Sequence, residues 1–253
     1  MGHTCGAALV GLVVWTSPMW GQRPTEAETS GIIARSRQRA VKYSRSLPDF
    51  VCTESVHRYA GEKPREGSMG RALNTMPSYA LYKWYLTDRL TVRLSYIQDH
   101  EEHKLILVND KPTDQTYESL AGGIGTGEFG NTMLSIFANE AETSFTWEGW
   151  KTVRKRRVAV FTYSLDADHS RYKLINGTTG DLHEAIVGLH GKLEIDRETG
   201  EVASFTYAAS RIPKEVKMDE VSSAVEYDYA DVGGQSYCSR CTRKWRSIVP
   251  GCR

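Results

Sequence analysis

KLEIDRETGEVASFTYA, residues 192–208, decides the fold class. Leu193 and Ile195 alternate with Lys192, Glu194 and Asp196. Beyond a polar break at 197–200, Ala203, Phe205 and Tyr207 alternate with Ser204 and Thr206. Period two on both sides of a short polar turn predicts a β-hairpin with one buried face. Gly200 supplies the positive φ that such a turn uses. Asp196, Arg197, Glu198 and Glu201 read as a solvated turn rather than as a catalytic acid pair.

Working outward, the same pattern recurs. Leu86, Leu90, Val92, Leu94 and Tyr96 face one way. Thr87, Arg89, Thr91, Arg93 and Ser95 face the other, and only Asp88 breaks the apolar side. That is a half-buried antiparallel strand, with a turn at 98–103 leading to a partner at 104–108. Further strands are expected at 50–59, 79–85, 144–153, 157–165, 171–175, 221–232 and 235–237, and 181–188 leads into the opening hairpin. Residues 62–77 and 116–130 read as loops that would gate a cavity, and 128–139 as a short helix. Residues 23–46 read as a helix with Ile33, Ala40, Val41 and Leu47 on its apolar face, Thr29 or Ser30 as an inner cap, and Pro48 as its stop. The sum is one α+β domain: an antiparallel sheet of about nine to eleven strands with an N-terminal and a short internal helix. The opening hairpin is expected to form two central strands.

The chain has 253 residues, 40% of them hydrophobic, and a net charge of +1, which gives no electrostatic reason to expect a nucleic-acid partner. The apolar run at 7–15, AALVGLVVW, is too short to span a bilayer and fits a secretory signal peptide over 1–21. The protein is therefore expected to be periplasmic or secreted, and peripheral to a membrane at most.

No catalytic, cofactor or metal constellation emerges. The GxGxxG match at 125–130 lacks a parallel βαβ context. His100-Glu101-Glu102-His103 falls in the expected turn, without the helical spacing of a zinc site. No GxSxG elbow is present, and Cys52 reads as a buried strand residue. Cys238, Cys241 and Cys252 crowd a tail, YCSRCTRKWRSIVPGCR, that turns basic and leaves the strand pattern. Cys238-Ser239-Arg240-Cys241 has CxxC spacing but too few further ligands for zinc. A shifted reading frame after Tyr237 accounts for the tail better, so 22–237 is taken as the domain and 238–253 as suspect.

LPDFVCTESVHRY (47–59), LTVRLSYIQDHEEHKLILVNDKPT (90–113), TGEFG (126–130) and GKLEIDRETGEVASFTYAA (191–209) resemble a group of uncharacterised bacterial secreted proteins. More distantly, they resemble the outer-membrane lipoprotein-carrier (LolA/LppX-like) fold. That resemblance implies a strongly curved antiparallel sheet, an incomplete β-barrel, with helices plugging a concave apolar face. The family's last strand carries a Leu-Pro-type segment after the Tyr237 position, and this chain departs from it there.

The resulting expectation is a non-enzymatic extracytoplasmic protein. It would hold a hydrophobic ligand, a lipid or lipoprotein acyl chain, against the concave face. Leu90, Val92, Leu94, Leu193, Ile195, Phe205 and Tyr207 are the candidate lining residues. The alternative is a cell-envelope sensor or scaffold that binds a protein partner by its sheet edge or outer face.

Overall fold

A computed structural model describes residues 23–46, 50–62, 83–97, 100–120, 131–178, 180–232 and 235–248. The expected signal segment, Cys252 and most of both expected gating loops lie outside these residues. The fold is α+β. Helix α1 spans Glu26–Ser46 and α2 Asn131–Phe137. The strands are β1 (Phe50–Glu62), β2 (Lys83–Ile97), β3 (His100–Val108), β4 (Lys111–Pro112), β5 (Ser144–Val153) and β6 (Arg156–Leu165). They continue as β7 (Lys173–Thr178), β8 (Asp181–Ile186), β9 (Gly188–Asp196), β10 (Val202–Ser210), β11 (Glu220–Val232) and β12 (Gln235–Ile248). Ten of them form one sheet in the order β4-β3-β2-β1-β12-β11-β10-β9-β6-β5, and β7 and β8 form a separate hairpin.

The expected antiparallel sheet is corrected at one junction: β1 and β12 pair in parallel, Glu54 opposite Cys241 and Tyr59 opposite Arg246. Every other neighbour pair is antiparallel. Two sequence-local meanders therefore meet through the first and last strands. The middle pair of the ten is β12–β11, and the hairpin β9–β10 follows as the seventh and eighth strands, interior but off-centre. The suspect tail from Cys238 to Ile248 is part of β12 and buries Arg243, Trp245 and Ile248.

Two further expectations shift. Residues 100–103 belong to β3 rather than to a turn. Helix α1 is capped by Thr25, whose Oγ1 accepts the Glu28 amide at 3.2 Å, while the Thr29 hydroxyl bonds back to the Glu26 carbonyl. Glu26 and Glu28 lie in its first turn, where the helix dipole favours acids. Its buried stripe is Ile32, Ser36 and Ala40, with Ile33 only half-buried.

Helix α1 docks on the β9–β10 turn, which is not simply solvated. Asp196 is buried, and its Oδ1 accepts the amides of Glu198 and Thr199, each at 2.9 Å. A carboxylate that caps its own turn is an Asx motif. The Ser36 hydroxyl donates to the Gly200 carbonyl at 2.7 Å, Arg35 donates to the Arg197 carbonyl, and Arg197 pairs with Glu28. Gly200 has φ +75°, and a Cβ there would stand 3.2 Å from that of Arg35. Gly200→Ala combines a strained φ with a tight contact. It is expected to lower stability by about 1–2 kcal/mol in urea unfolding.

Candidate functional site

Alternation gives the sheet a buried face, covered by α1, α2 and the turn at Tyr117–Ser119. All seven candidate residues lie on it: Leu90, Val92 and Leu94 on β2, Leu193 and Ile195 on β9, Phe205 and Tyr207 on β10. None is more than 2% exposed, and all belong to one apolar cluster. Strand register aligns them in rows. One row runs Leu90, Val56, Arg243, Val225, Phe205, Leu193 across six strands.

The face is not uniformly apolar, because a polar seam on β1, β12 and β11 separates the two groups. Arg58 donates to Asp88 through Nε at 2.8 Å and through Nη2 at 2.5 Å. The two parallel bonds make a fork-to-carboxylate pair, which fixes geometry as well as charge. Asp88 was the one interruption of the alternating strand at 86–96, and Arg58 is the reason it is tolerated. A register shift in β2 opposite Arg58/Tyr59 then turns Leu86 outward, where it is 46% exposed. Leu86 therefore does not share the face of Leu90.

Beside this pair, Arg243 Nε lies 3.3 Å from Glu54 Oε1, with both side chains 1% exposed. Arg243 Nη2 donates to the Tyr117 hydroxyl at 2.7 Å, and the Tyr117 ring stacks on His103 at 5.2 Å. Next in the row from Arg58 come Trp245 and Ser223. The Trp245 indole nitrogen and the Ser223 hydroxyl are buried and make no hydrogen bond to the described residues. The row ends at Tyr207, whose hydroxyl meets that of Tyr172 at 3.1 Å. Sequence reasoning missed Glu54, Arg58, Arg243 and Trp245; the only signal available was Asp88 on an apolar side.

Tyr163, also on this face, donates to the Thr206 carbonyl at 3.1 Å. Burial, reinforced by Tyr172, pushes its phenol well above the ordinary tyrosine range. The folded value thus exceeds the unfolded one. The stabilisation is fully present below about pH 10 and is lost as pH rises through the folded value. Tyr163→Phe is expected to flatten the fall in melting temperature on the alkaline side, measured by thermal melts across that range.

The opposite face carries an open groove of about 840 Å³ between the β5–β6 hairpin and β11. Of the seven candidates only Phe205 contributes to its lining. Ion pairs line it: Lys151 with Glu194 at 2.7 Å, Arg156 shared between Asp196 and Glu201, and Arg154 with Asp228. With Glu226 also in the lining, three basic side chains stand against five acidic ones, so the groove carries an acidic excess.

Among the described residues no group of three or more His, Cys, Asp or Glu gathers as a metal site. Cys52 is half-buried against the core. No protein-family model matches the chain, and no curated protein or solved structure matches it.

Proposed function

We propose that the protein is a non-enzymatic, exported binding protein. Its sheet curves as an incomplete barrel of the lipoprotein-carrier type and holds an amphiphile, a lipid or lipoprotein acyl chain, between its apolar face and the two helices. The observation that carries this reading is the combination on one face. Apolar side chains cover the face on both sides of a polar seam, and in that seam the Trp245 N–H and Ser223 O–H are buried without hydrogen bonds to the described residues. Buried donors left unpaired cost on the order of 1–3 kcal/mol each, and an ester or carboxyl oxygen at the head of an acyl chain would satisfy both. The seven candidate residues would then contact the chain after α2 moves aside, because they are covered in the closed arrangement.

Native mass spectrometry of the purified protein, followed by solvent extraction, tests the reading. A co-purifying acyl amphiphile that is lost in Ser223→Val is the expected result. Failure of added fatty acid or phospholipid to bind under any condition overturns it.

A second reading, a scaffold that binds a partner by strand addition, is supported by β5. This ten-residue edge strand pairs only with β6 among the described residues. Proline at an outward-facing amide of β5 would abolish partner capture in that case and leave lipid binding intact.

A further inference from the structure

The solvent face of β3, β2, β1 and β12 carries an arrangement of charge that folding alone does not explain. Register sets Lys104 directly opposite Arg93. Two rows along, past Ser55 and Thr91, Lys244, His57 and Arg89 lie side by side across three strands. Arg93, Lys104, Lys244 and Arg89 are all exposed. Like charges directly opposite one another across a strand pair are destabilising. Of these residues, Arg89 is relieved by Asp110 at 2.6 Å, and Glu102 lies on the same face beside Lys104. No ion pair forms at Arg93, Lys104 or Lys244 among the described residues.

The same face exposes aliphatic side chains. Val51 is 62% exposed and Ile97 48%, next to one another at one end of β1 and β2, and Leu86 lies toward the other end. From Val51 to Tyr59 the surface runs about 27 Å along the strands and about 15 Å across them, at the usual rise and strand spacing.

We propose that this face docks on an anionic phospholipid surface. The basic rows match a plane of phosphate groups, and Val51, Ile97 and Leu86 enter the headgroup–acyl boundary. Basic residues combined with protruding aliphatic ones suit a lipid interface, since a polyanion offers nothing apolar for the latter to contact. With an overall charge of +1, the protein as a whole supplies little attraction, so binding depends on local basic rows such as these. No helix among the described residues is long and apolar enough to cross a membrane. The surface lies opposite the apolar face and is independent of any ligand held there.

Co-sedimentation with vesicles tests the proposal. The protein is expected to bind equimolar phosphatidylcholine–phosphatidylglycerol vesicles and not pure phosphatidylcholine, with binding weakened by salt. Arg93→Thr and Lys104→Thr should each weaken binding about fivefold, while raising the melting temperature because the like-charge contact is gone. Arg93→Lys should retain binding. Ile97→Ser should weaken it without changing the salt dependence. A folded protein that does not bind the anionic vesicles overturns the proposal. So does equally tight binding to heparin or single-stranded DNA that is insensitive to Ile97→Ser, which would make the face a polyanion site.

Discussion

Removal of residues 238–253 is expected to unfold the protein rather than trim a loose end. Strand β12 lies between β1 and β11 and, among the described residues, is the only strand that joins the β4-β3-β2-β1 half to the rest of the sheet. Without it, β1 loses its parallel partner from Glu54 to Ala60, and β11 loses most of its ladder. Trp245 and Ile248 leave the core and Arg243 leaves its ion pair. Truncating a buried Trp alone costs about 3–5 kcal/mol, against a total stability of about 5–15 kcal/mol for a domain. Circular dichroism and the amide spectrum of the shortened protein should show no cooperative transition. A shortened chain that melts like the full one would mean that the tail contributes nothing to the fold, as a shifted reading frame would require.

Arg243→Ala is expected to lower stability by about 3–5 kcal/mol in urea unfolding. It leaves the Glu54 carboxylate buried without its cation. The double variant Glu54→Leu, Arg243→Met should recover most of that loss, because two buried charges also carry a desolvation penalty that their attraction only partly offsets. The Tyr117 hydroxyl loses its donor in both variants, so its contribution cancels in the comparison. A double variant as unstable as Arg243→Ala would show that the pair holds the β1–β12 junction by geometry rather than by charge balance.

The two results bear on the same place. Local periodicity made most strands legible: β5 is found at the expected residues, and β6, β9, β10 and β11 within a few positions at either end. It could not reveal that β1 and β12 are neighbours, because that contact joins opposite ends of the chain and has no turn to announce it. The tail looked foreign because Arg240, Arg243, Lys244 and Arg246 break the apolar alternation. In the sheet Lys244 faces solvent, Arg246 lies over the Tyr59 and Trp84 rings and Arg243 meets Glu54, so a pattern that looks wrong in isolation is satisfied by its partners.

Asp88 teaches the same lesson from the other side. On β2 alone it is a flaw in an apolar stripe; beside Arg58 it is half of a two-bond pair. The turn at 196–201 was legible as a turn but not as the seat of α1, since the Ser36 hydroxyl and Gly200 carbonyl meet only after the helix has docked. The candidate apolar residues were legible because burial follows period two. That they all lie on one face under α1 and α2, with a polar seam between them, was not.

By itself, then, the sequence determined what nearest neighbours along the chain can specify: which segments are strands, which side chain faces which way, and where hairpins turn. Only the tertiary structure decided which strands stand next to one another, and with that which charges are paired, buried or crowded. The reason is physical. Side-chain direction follows from backbone geometry within a strand, whereas the partner opposite each residue is set by the register between strands, and between β1 and β12 that register comes from packing and charge complementarity across the whole chain.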